Sequence, residues 1–150
     1  MSGNDHDIKV LNSLIEALID CSDGYAEAAQ EAKEPRYSQW LDSRASQYLE
    51  TVESLKSEVR SRGGSPEDNG SILAKASRAF SGFKQAVLGS QESVSDMVQN
   101  SETQVLSRFE KAAGDQKLSA TTRDTVRRAL ERLPLTETDL EQLSATQGHS

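Results

Sequence analysis

The segment "EAKEPRYSQWL", residues 31–41, decides the fold, because it joins two long stretches of helical periodicity. Pro35 stops the helix that precedes it, since it has no backbone N–H, but it suits the first turn of the next helix. On both sides, apolar residues recur every three or four positions. These positions are Ile8, Leu11, Ile15, Leu18, Tyr25, Ala29 and Ala32 before the proline, and Leu41, Ala45, Tyr48, Val52, Leu55 and Val59 after it. The sequence therefore predicts two antiparallel helices, the first over about residues 7–33 and the second ending at Gly63 and Gly64.

A long connection follows the second helix. It begins with the turn-forming segment "GGSPEDNGS", residues 63–71, and then shows apolar residues at helical spacing up to Gly89. These residues are Ile72, Ala76, Phe80, Phe83 and Val87. The connection is long enough to run the length of a bundle, so we expect a crossover that carries an extra helix.

The last part of the chain predicts two more long helices. The third carries a stripe of apolar residues from Val94 to Ala112, and the fourth begins at a cap supplied by Ser119 or Thr121. Pro134 interrupts the fourth helix, because its ring removes a backbone hydrogen bond and crowds the carbonyl four residues earlier.

A second helix start lies directly behind this proline. Thr136 can cap a helix, and Asp139 stands at the third position, from which its side chain can return the hydrogen bond. The sequence therefore predicts a kink or a short fifth helix over about residues 137–144. Together these elements indicate an all-α fold, a four-helix bundle with an extra helix in the crossover between helices 2 and 3 and a fourth helix broken by proline.

The length of 150 residues corresponds to about one domain. We expect a single helical-bundle domain over residues 7–143. A flexible N-terminus over residues 1–6 and a flexible C-terminal tail over residues 144–150 are predicted on either side, because both ends are polar and lack the apolar periodicity.

Charge and composition argue against several functions. The formal net charge of -7 repels phosphate backbones and anionic lipid, so neither nucleic acid nor membrane is expected as a partner. The polar N-terminal segment lacks the features of a secretory signal, and the single Cys21 rules out an internal disulfide, so we expect a cytoplasmic protein. Cys21 itself is either a small residue at the edge of a helix interface or a redox group.

Most carboxylates fall on the outer faces of the helices. Glu50 and Glu53 are three residues apart, a spacing that suits metal ligands, but helical geometry turns both away from the apolar stripe. The first helix carries an acidic ridge, which is either a solubilising face or a surface for a basic partner or cation. It consists of Glu16, Asp20, Asp23 and Glu27.

Glu102 is different, because helical geometry places it about 60° from the centre of the otherwise apolar stripe of the third helix. A buried, ionised carboxylate without a partner costs several kcal/mol, so Glu102 must be protonated, paired or bound to a cation. The candidate partners for a structural ion pair are Arg44 and Arg123. Glu137 would join Glu102 in a metal site only if the fourth helix continued through Pro134.

The stretches "LNSLIEALIDCSDGY", residues 11–25, and "EVRSRGGSPEDNGS", residues 58–71, resemble a bacterial family of ferritin-like four-helix-bundle proteins that share a domain of unknown function. The resemblance extends over roughly residues 8–143. It implies a ferritin-like fold, a bacterial cytoplasmic setting and a role under stress.

Ferritin-like enzymes hold two metal ions with a glutamate from each of two helices and Glu-x-x-His from each of the other two. Glu102 corresponds to the glutamate of the third helix. The remaining ligands are missing, since the only histidines, His6 and His149, lie in the polar ends and no Glu-x-x-His occurs. The resemblance therefore does not imply di-iron chemistry for this chain.

These observations favour a non-catalytic bundle, not an enzyme, that binds no cofactor and acts as a homo-oligomer (a dimer) or by binding another protein. The sequence shows no nucleophile with an adjacent base and no phosphate-binding glycine loop. Trp40, Phe80 and Phe83 are the candidate interface residues. The alternative is a degenerate bundle that binds iron or manganese through Glu102 and Glu137, and a small apolar ligand between the helices is a third possibility.

Overall fold

A computed structural model describes residues 2–32, 35–67 and 91–148, and every helix or strand in these ranges is an α-helix. The predicted all-α fold is thus confirmed for this part of the chain. The predicted crossover helix, with Phe80 and Phe83, lies outside the described residues. The helices are α1 (Ser2–Glu31), α2 (Pro35–Ser61), α3 (Gln91–Ala113), α4 (Ala120–Arg132) and α5 (Glu137–Gly148).

Helices α1 and α2 form an antiparallel hairpin, as the periodicity around Pro35 predicts. Polar bonds show the antiparallel direction. In the first half of α1, Asn12 Nδ2 donates to the carbonyl of Ser65, which lies just after α2, at 3.1 Å. In the second half of α1, Ser22 Oγ donates to the carbonyl of Ala45 within α2 at 3.1 Å. The hairpin supplies most of the buried apolar side chains, and their burial is the main source of its stability. They are Leu11, Leu14, Ile15, Leu18, Ile19, Tyr25, Ala28, Ala29, Tyr37, Leu41, Ala45, Tyr48, Val52, Leu55 and Val59.

The two glycines that end α2 do different things. Gly63 has a φ of 82°, and the amides of Gly63 and Gly64 donate to the carbonyls of Arg60 and Val59 at 2.9 and 3.0 Å, which is a left-handed helix cap. Gly64 brings the chain against α1, since a Cβ atom there would lie 2.8 Å from Ile8 Cδ1. One glycine therefore serves the turn and the other serves close packing.

Helices α3 and α4 pack against each other and close the core. Val98 and Phe109 of α3 and Val126 of α4 are fully buried. Of the two predicted caps for α4, the structure uses Ser119, whose Oγ accepts a hydrogen bond from the Thr122 amide at 3.2 Å.

Pro134 separates α4 from α5, so the fourth helix does not run through it. The predicted new start is confirmed: the Thr136 amide donates to Asp139 Oδ2 at 3.0 Å, and the Asp139 amide donates to Thr136 Oγ1 at 3.0 Å. Helix α5 extends to Gly148, beyond the predicted end at residue 144. Residues 144–148 continue this helix, and the flexibility of a tail over residues 144–150 stays a prediction.

The flexibility predicted for residues 1–6 also stays a prediction, and the described residues of this segment belong to α1. Helix α1 begins at Ser2, and its first turns bond to the rest of the bundle. Asn4 Nδ2 donates to the Arg62 carbonyl at 2.7 Å, and His6 Nε2 lies 2.7 Å from Asp115 Oδ2. These polar contacts with distant residues leave no trace in the local apolar periodicity.

In the ranges that the structure describes, no helix combines the length and apolar character needed to cross a lipid bilayer.

Candidate functional site

The centre of the bundle contains an ion pair between Glu102 of α3 and Arg44 of α2. Both side chains are 5% exposed. Arg44 Nε donates to Glu102 Oε2 at 3.0 Å and Arg44 Nη2 donates to Glu102 Oε1 at 2.5 Å. The guanidinium thus holds both oxygens of the carboxylate, which is the strongest geometry for this pair of groups.

Helix α1 adds a third donor to the same carboxylate. The hydroxyl of Tyr25 donates to Glu102 Oε2 at 2.7 Å. Glu102 is therefore bonded to α1 and to α2 at once, and three hydrogen bonds offset the cost of removing its charge from water.

Arg44 uses its remaining donors outside the carboxylate. Nη1 donates to Gln47 Oε1 at 2.7 Å, and Nη2 also donates to the backbone carbonyl of Leu133. In a continuous helix this carbonyl would accept the amide four residues later, but the break at Pro134 removes that partner. Arg44 therefore satisfies a carbonyl that the proline break leaves unpaired, and so bonds to the end of α4 as well as to α3.

Tyr48 completes the cluster. Its ring is stacked on that of Tyr25, with 5.8 Å between centroids and 13° between the planes, and the Arg44 guanidinium carbon lies 4.8 Å from its centroid. The Tyr48 hydroxyl is buried and makes no hydrogen bond of standard geometry to any residue that the structure describes. The two tyrosines thus differ: Tyr25 is bonded through its hydroxyl, while Tyr48 contributes mainly its ring.

The environment of Glu102 keeps the Cys21 thiol and the hydroxyls of Tyr25 and Tyr48 protonated. Burial, and then the Glu102 carboxylate, raise the pKa of the Cys21 thiol to about 12. Burial also raises the pKa of Tyr25 and that of Tyr48 well above the usual range of tyrosine, and the neighbouring Cys21 and Glu102 act in the same direction. At neutral pH the cluster therefore contains a neutral thiol and two neutral phenols.

Arg44 retains its charge in this setting. Burial acts to lower the pKa of Arg44, but the hydrogen bonds and the charge of Glu102 outweigh burial, and the net effect raises that pKa. The cluster thus pairs one fixed positive charge with one carboxylate, in an interior that disfavours any further charge.

This arrangement limits the chemistry that the cluster can perform. The neutral Cys21 thiol is a poor nucleophile, because the thiolate is the reactive form. Glu102 already accepts three hydrogen bonds, so action as a base or a metal ligand would compete with the bonds from Arg44 and Tyr25. The geometry accordingly favours the structural interpretation of Cys21.

The other two residues that were predicted to act with Glu102, Arg123 as an ion-pair partner and Glu137 as a metal ligand, do not contact it. Arg123 Nη2 donates to the Leu118 carbonyl at 3.0 Å and makes no bond to Glu102. Glu137 is exposed in the first turn of α5. Within residues 2–32, 35–67 and 91–148, no group of three or more histidine, cysteine, aspartate or glutamate residues could hold a metal ion.

The outward-facing carboxylates lie where helical geometry places them. Glu50 and Glu53 are both exposed, and Glu53 Oε2 lies 3.7 Å from Lys56 Nζ. The acidic ridge follows the outer side of α1, with its first two members half-buried and its last two exposed. In chain order it is Glu16, Asp20, Asp23 and Glu27.

Trp40, a predicted interface residue, contacts the chain's own C-terminal helix. It is half-buried, and its Nε1 donates to the Asp139 carbonyl at 3.2 Å. The other two predicted interface residues, Phe80 and Phe83, lie outside the described residues.

A second buried polar cluster, which was not predicted from the sequence, lies at the opposite end of the bundle. Asp7 is fully buried, and it accepts hydrogen bonds from the Ser119 amide at 3.0 Å and from Thr122 Oγ1 at 2.9 Å, while Arg62 Nη1 lies 3.3 Å away. Burial acts to raise the pKa of Asp7, but these donors outweigh it and the pKa is lowered. The spacing to Leu11 could have revealed Asp7, because residue 7 continues the buried stripe by one helical turn.

Most of the chain, including the residues around Glu102, matches a known protein family. The family model of a domain of unknown function, DUF2383, matches residues 6–115, which is most of the chain. The matched range includes Tyr25, Arg44 and Glu102, whereas Leu133 lies beyond it. Comparison with the curated proteins and with the solved structures gave no match. On the strength of the family match, the chain belongs to the DUF2383 family.

Proposed function

We propose that this protein is a non-catalytic, ferritin-like helical bundle that acts through its surface, by self-association as a dimer and by binding other proteins. The observation that carries the proposal is that Arg44 and Tyr25 together bond both carboxylate oxygens of Glu102. Glu102, the carboxylate at the centre of the described bundle, is thereby committed to structure.

The same observation argues against the alternative, an iron or manganese site at Glu102 and Glu137. A metal ion at Glu102 would have to displace the Arg44 guanidinium, and the displaced charge would remain buried next to the cation. Glu137 offers no help, because it is exposed on α5. In this proposal the guanidinium supplies the positive charge that metal ions supply in di-iron bundles.

The ferritin-like arrangement is supported by the α1–α2 hairpin, the long connection between Ser61 and Gln91, and the packing of α3 on α4. The bacterial, cytoplasmic setting and the role under stress rest on the resemblance of the segments at residues 11–25 and 58–71. The formal charge of -7 supports protein partners over nucleic acid.

Analytical ultracentrifugation tests self-association directly. We expect the purified protein to sediment as a dimer over a wide range of concentrations. A variant carrying Phe80→Asp and Phe83→Asp should sediment as a monomer with unchanged far-UV circular dichroism. The parent protein sedimenting as a monomer at every concentration would contradict self-association, and a dimer that persists in the variant would show that another surface forms it.

A further inference from the structure

A groove of about 540 Å³ lies between α2 and α4. This volume is typical of binding sites in proteins. Arg44 joins the two helices beside the groove, since its guanidinium lines the groove and donates to the Leu133 carbonyl at the end of α4. The groove therefore lies between two helices that the buried Arg44 and Glu102 cluster holds in position.

The two sides of this groove carry opposite charges. Glu50 and Glu58 line the α2 side and form an acidic rim, while Arg128 and Arg132 line the α4 side and form a basic rim. Glu50 and both arginines are exposed, and Glu58 is half-buried with its Oε1 3.2 Å from Arg62 Nη2. Positions 128 and 132 are one helical turn apart, so the two guanidinium groups are neighbours on the surface of α4. An acidic rim thus runs beside a basic rim on one face of the bundle.

The basic rim contrasts with the charge of the rest of the protein. Helix α4 contains four arginines and two acidic residues, whereas α1 contains seven acidic residues and one lysine. Arg128 is paired with Asp124 of its own helix, but the two side chains are 69% and 54% exposed, and an ion pair in water contributes little free energy. The guanidinium of Arg128 can therefore exchange this partner for another carboxylate at little cost.

We propose that this groove is a self-complementary surface, which binds the same groove of a second copy of the chain. A two-fold axis along the groove brings the basic rim of each copy against the acidic rim of the other, so every contact is made twice. An axis across the groove would bring like charges together, so the charge pattern also fixes the orientation of the two copies. The proposal rests on the self-association proposed above and names a surface that takes part in it.

The charge pattern favours a second copy over other occupants. Nucleic acid would be repelled by the net charge of -7 and by the acidic rim. A purely acidic or purely basic peptide would match one rim and be repelled by the other. A surface that carries both charges in the reverse order matches both rims, and the same groove on a second copy provides that surface.

Sedimentation of the full-length chain and of two rim variants tests this surface. The first variant, Arg128→Glu with Arg132→Glu, makes both rims acidic. The second, Glu50→Lys with Ser54→Lys, makes the α2 side basic and leaves the ion pair of Glu58 in place. Each variant alone should associate at least about 30-fold more weakly than the parent at low salt, because like charges then face each other. An equimolar mixture of the two variants should regain the association of the parent, since opposite charges meet again on both sides.

The matched control is Arg36→Glu with Arg60→Glu. It makes the same change in net charge as the first variant, at exposed positions of α2 that do not line this groove. The control should sediment like the parent, and far-UV circular dichroism should be the same for all four proteins. Association of the parent should also weaken roughly tenfold between about 0.05 M and 0.5 M salt, because exposed charges are screened.

Three outcomes would overturn this surface and leave self-association standing. The rim variants could associate as tightly as the parent, the mixture of folded variants could stay dissociated, or the control could lose as much association as the first variant. The last result would assign the effect to net charge and not to the groove. A parent that is monomeric at every concentration would instead contradict the proposed self-association, and this surface with it.

Discussion

The guanidinium of Arg44 donates a hydrogen bond to the backbone carbonyl of Leu133, the last residue before Pro134. The same nitrogen also holds Glu102. The break in the fourth helix and the buried ion pair are thus connected through Arg44. Pro134 leaves the Leu133 carbonyl without a helical partner, and Arg44 donates to that carbonyl. The same guanidinium also neutralises the buried carboxylate of Glu102.

A double-mutant cycle should reveal the strength of the ion pair. Arg44→Met and Glu102→Met should each lower the free energy of unfolding by about 3–5 kcal/mol, because each leaves one buried charge without its partner. The double variant should lose much less than the sum of the two, since it leaves neither charge behind. Urea unfolding followed by circular dichroism measures all three values.

The matched control for this cycle is Arg127→Met on the exposed side of α4, which should change the free energy of unfolding by no more than about 0.5 kcal/mol. Additive effects of Arg44→Met and Glu102→Met would contradict the ion pair.

The two stacked tyrosines should respond differently to loss of the hydroxyl. Tyr25→Phe removes a hydrogen bond to a buried carboxylate and should lower the free energy of unfolding by about 1.5–3 kcal/mol. Tyr48→Phe removes a buried hydroxyl that makes no hydrogen bond of standard geometry within the described ranges, so it should be neutral or stabilising. Thermal and urea unfolding of the two variants give the comparison, and equal losses would contradict the assigned roles.

Asp7 should make the protein sensitive to acid. Its pKa is lower in the folded state than in the unfolded chain, so the folded state binds the proton less readily. The resulting stability is present above the unfolded pKa, near 4, and is lost as the pH falls through the lower folded pKa. Unfolding free energies measured between about pH 2 and 6 should therefore fall less steeply in Asp7→Asn than in the parent. An unchanged pH dependence would show that Asp7 is not the responsible group.

Alkaline pH should destabilise the protein through the other cluster. The pKa of Cys21 is raised from its usual value near 9 to about 12, so the folded state retains a proton that the unfolded chain releases. The stability from the neutral thiol is complete below pH 9 and is lost as the pH rises towards 12, by roughly 1.4 kcal/mol per pH unit. Cys21→Ser should flatten the curve in this window, and a curve identical to that of the parent would place the alkaline sensitivity with the tyrosines alone.

The sequence pattern was sufficient to predict the long helices and the residues at which several of them begin or end. Helical periodicity and Pro35 predict the α1–α2 hairpin, and the order of Pro134, Thr136 and Asp139 predicts the break and the new start, because these effects are local. The C-terminal end of α5, which lies beyond the predicted residue 144, was not predictable in the same way. Its sequence is polar and has no apolar stripe that would mark where the helix ends.

The site was only partly predictable. The stripe of α3 indicates that Glu102 faces inward and needs a cation, but the choice between Arg44 and Arg123 depends on how the helices are rotated about one another. That rotation is set by tertiary packing, which includes the Leu133 carbonyl that Pro134 leaves free. Asp7 escaped notice for a related reason, because its partners are distant in the sequence and belong to other elements.

Metal analysis tests the central claim, that Arg44 and not a metal ion neutralises Glu102. The protein and its Glu102→Gln variant would be incubated anaerobically with iron(II) and manganese(II), desalted, and measured by elemental analysis. We expect both proteins to emerge with only traces of metal. Near-stoichiometric metal in the parent that disappears in Glu102→Gln would contradict it and would establish a carboxylate metal site in the bundle.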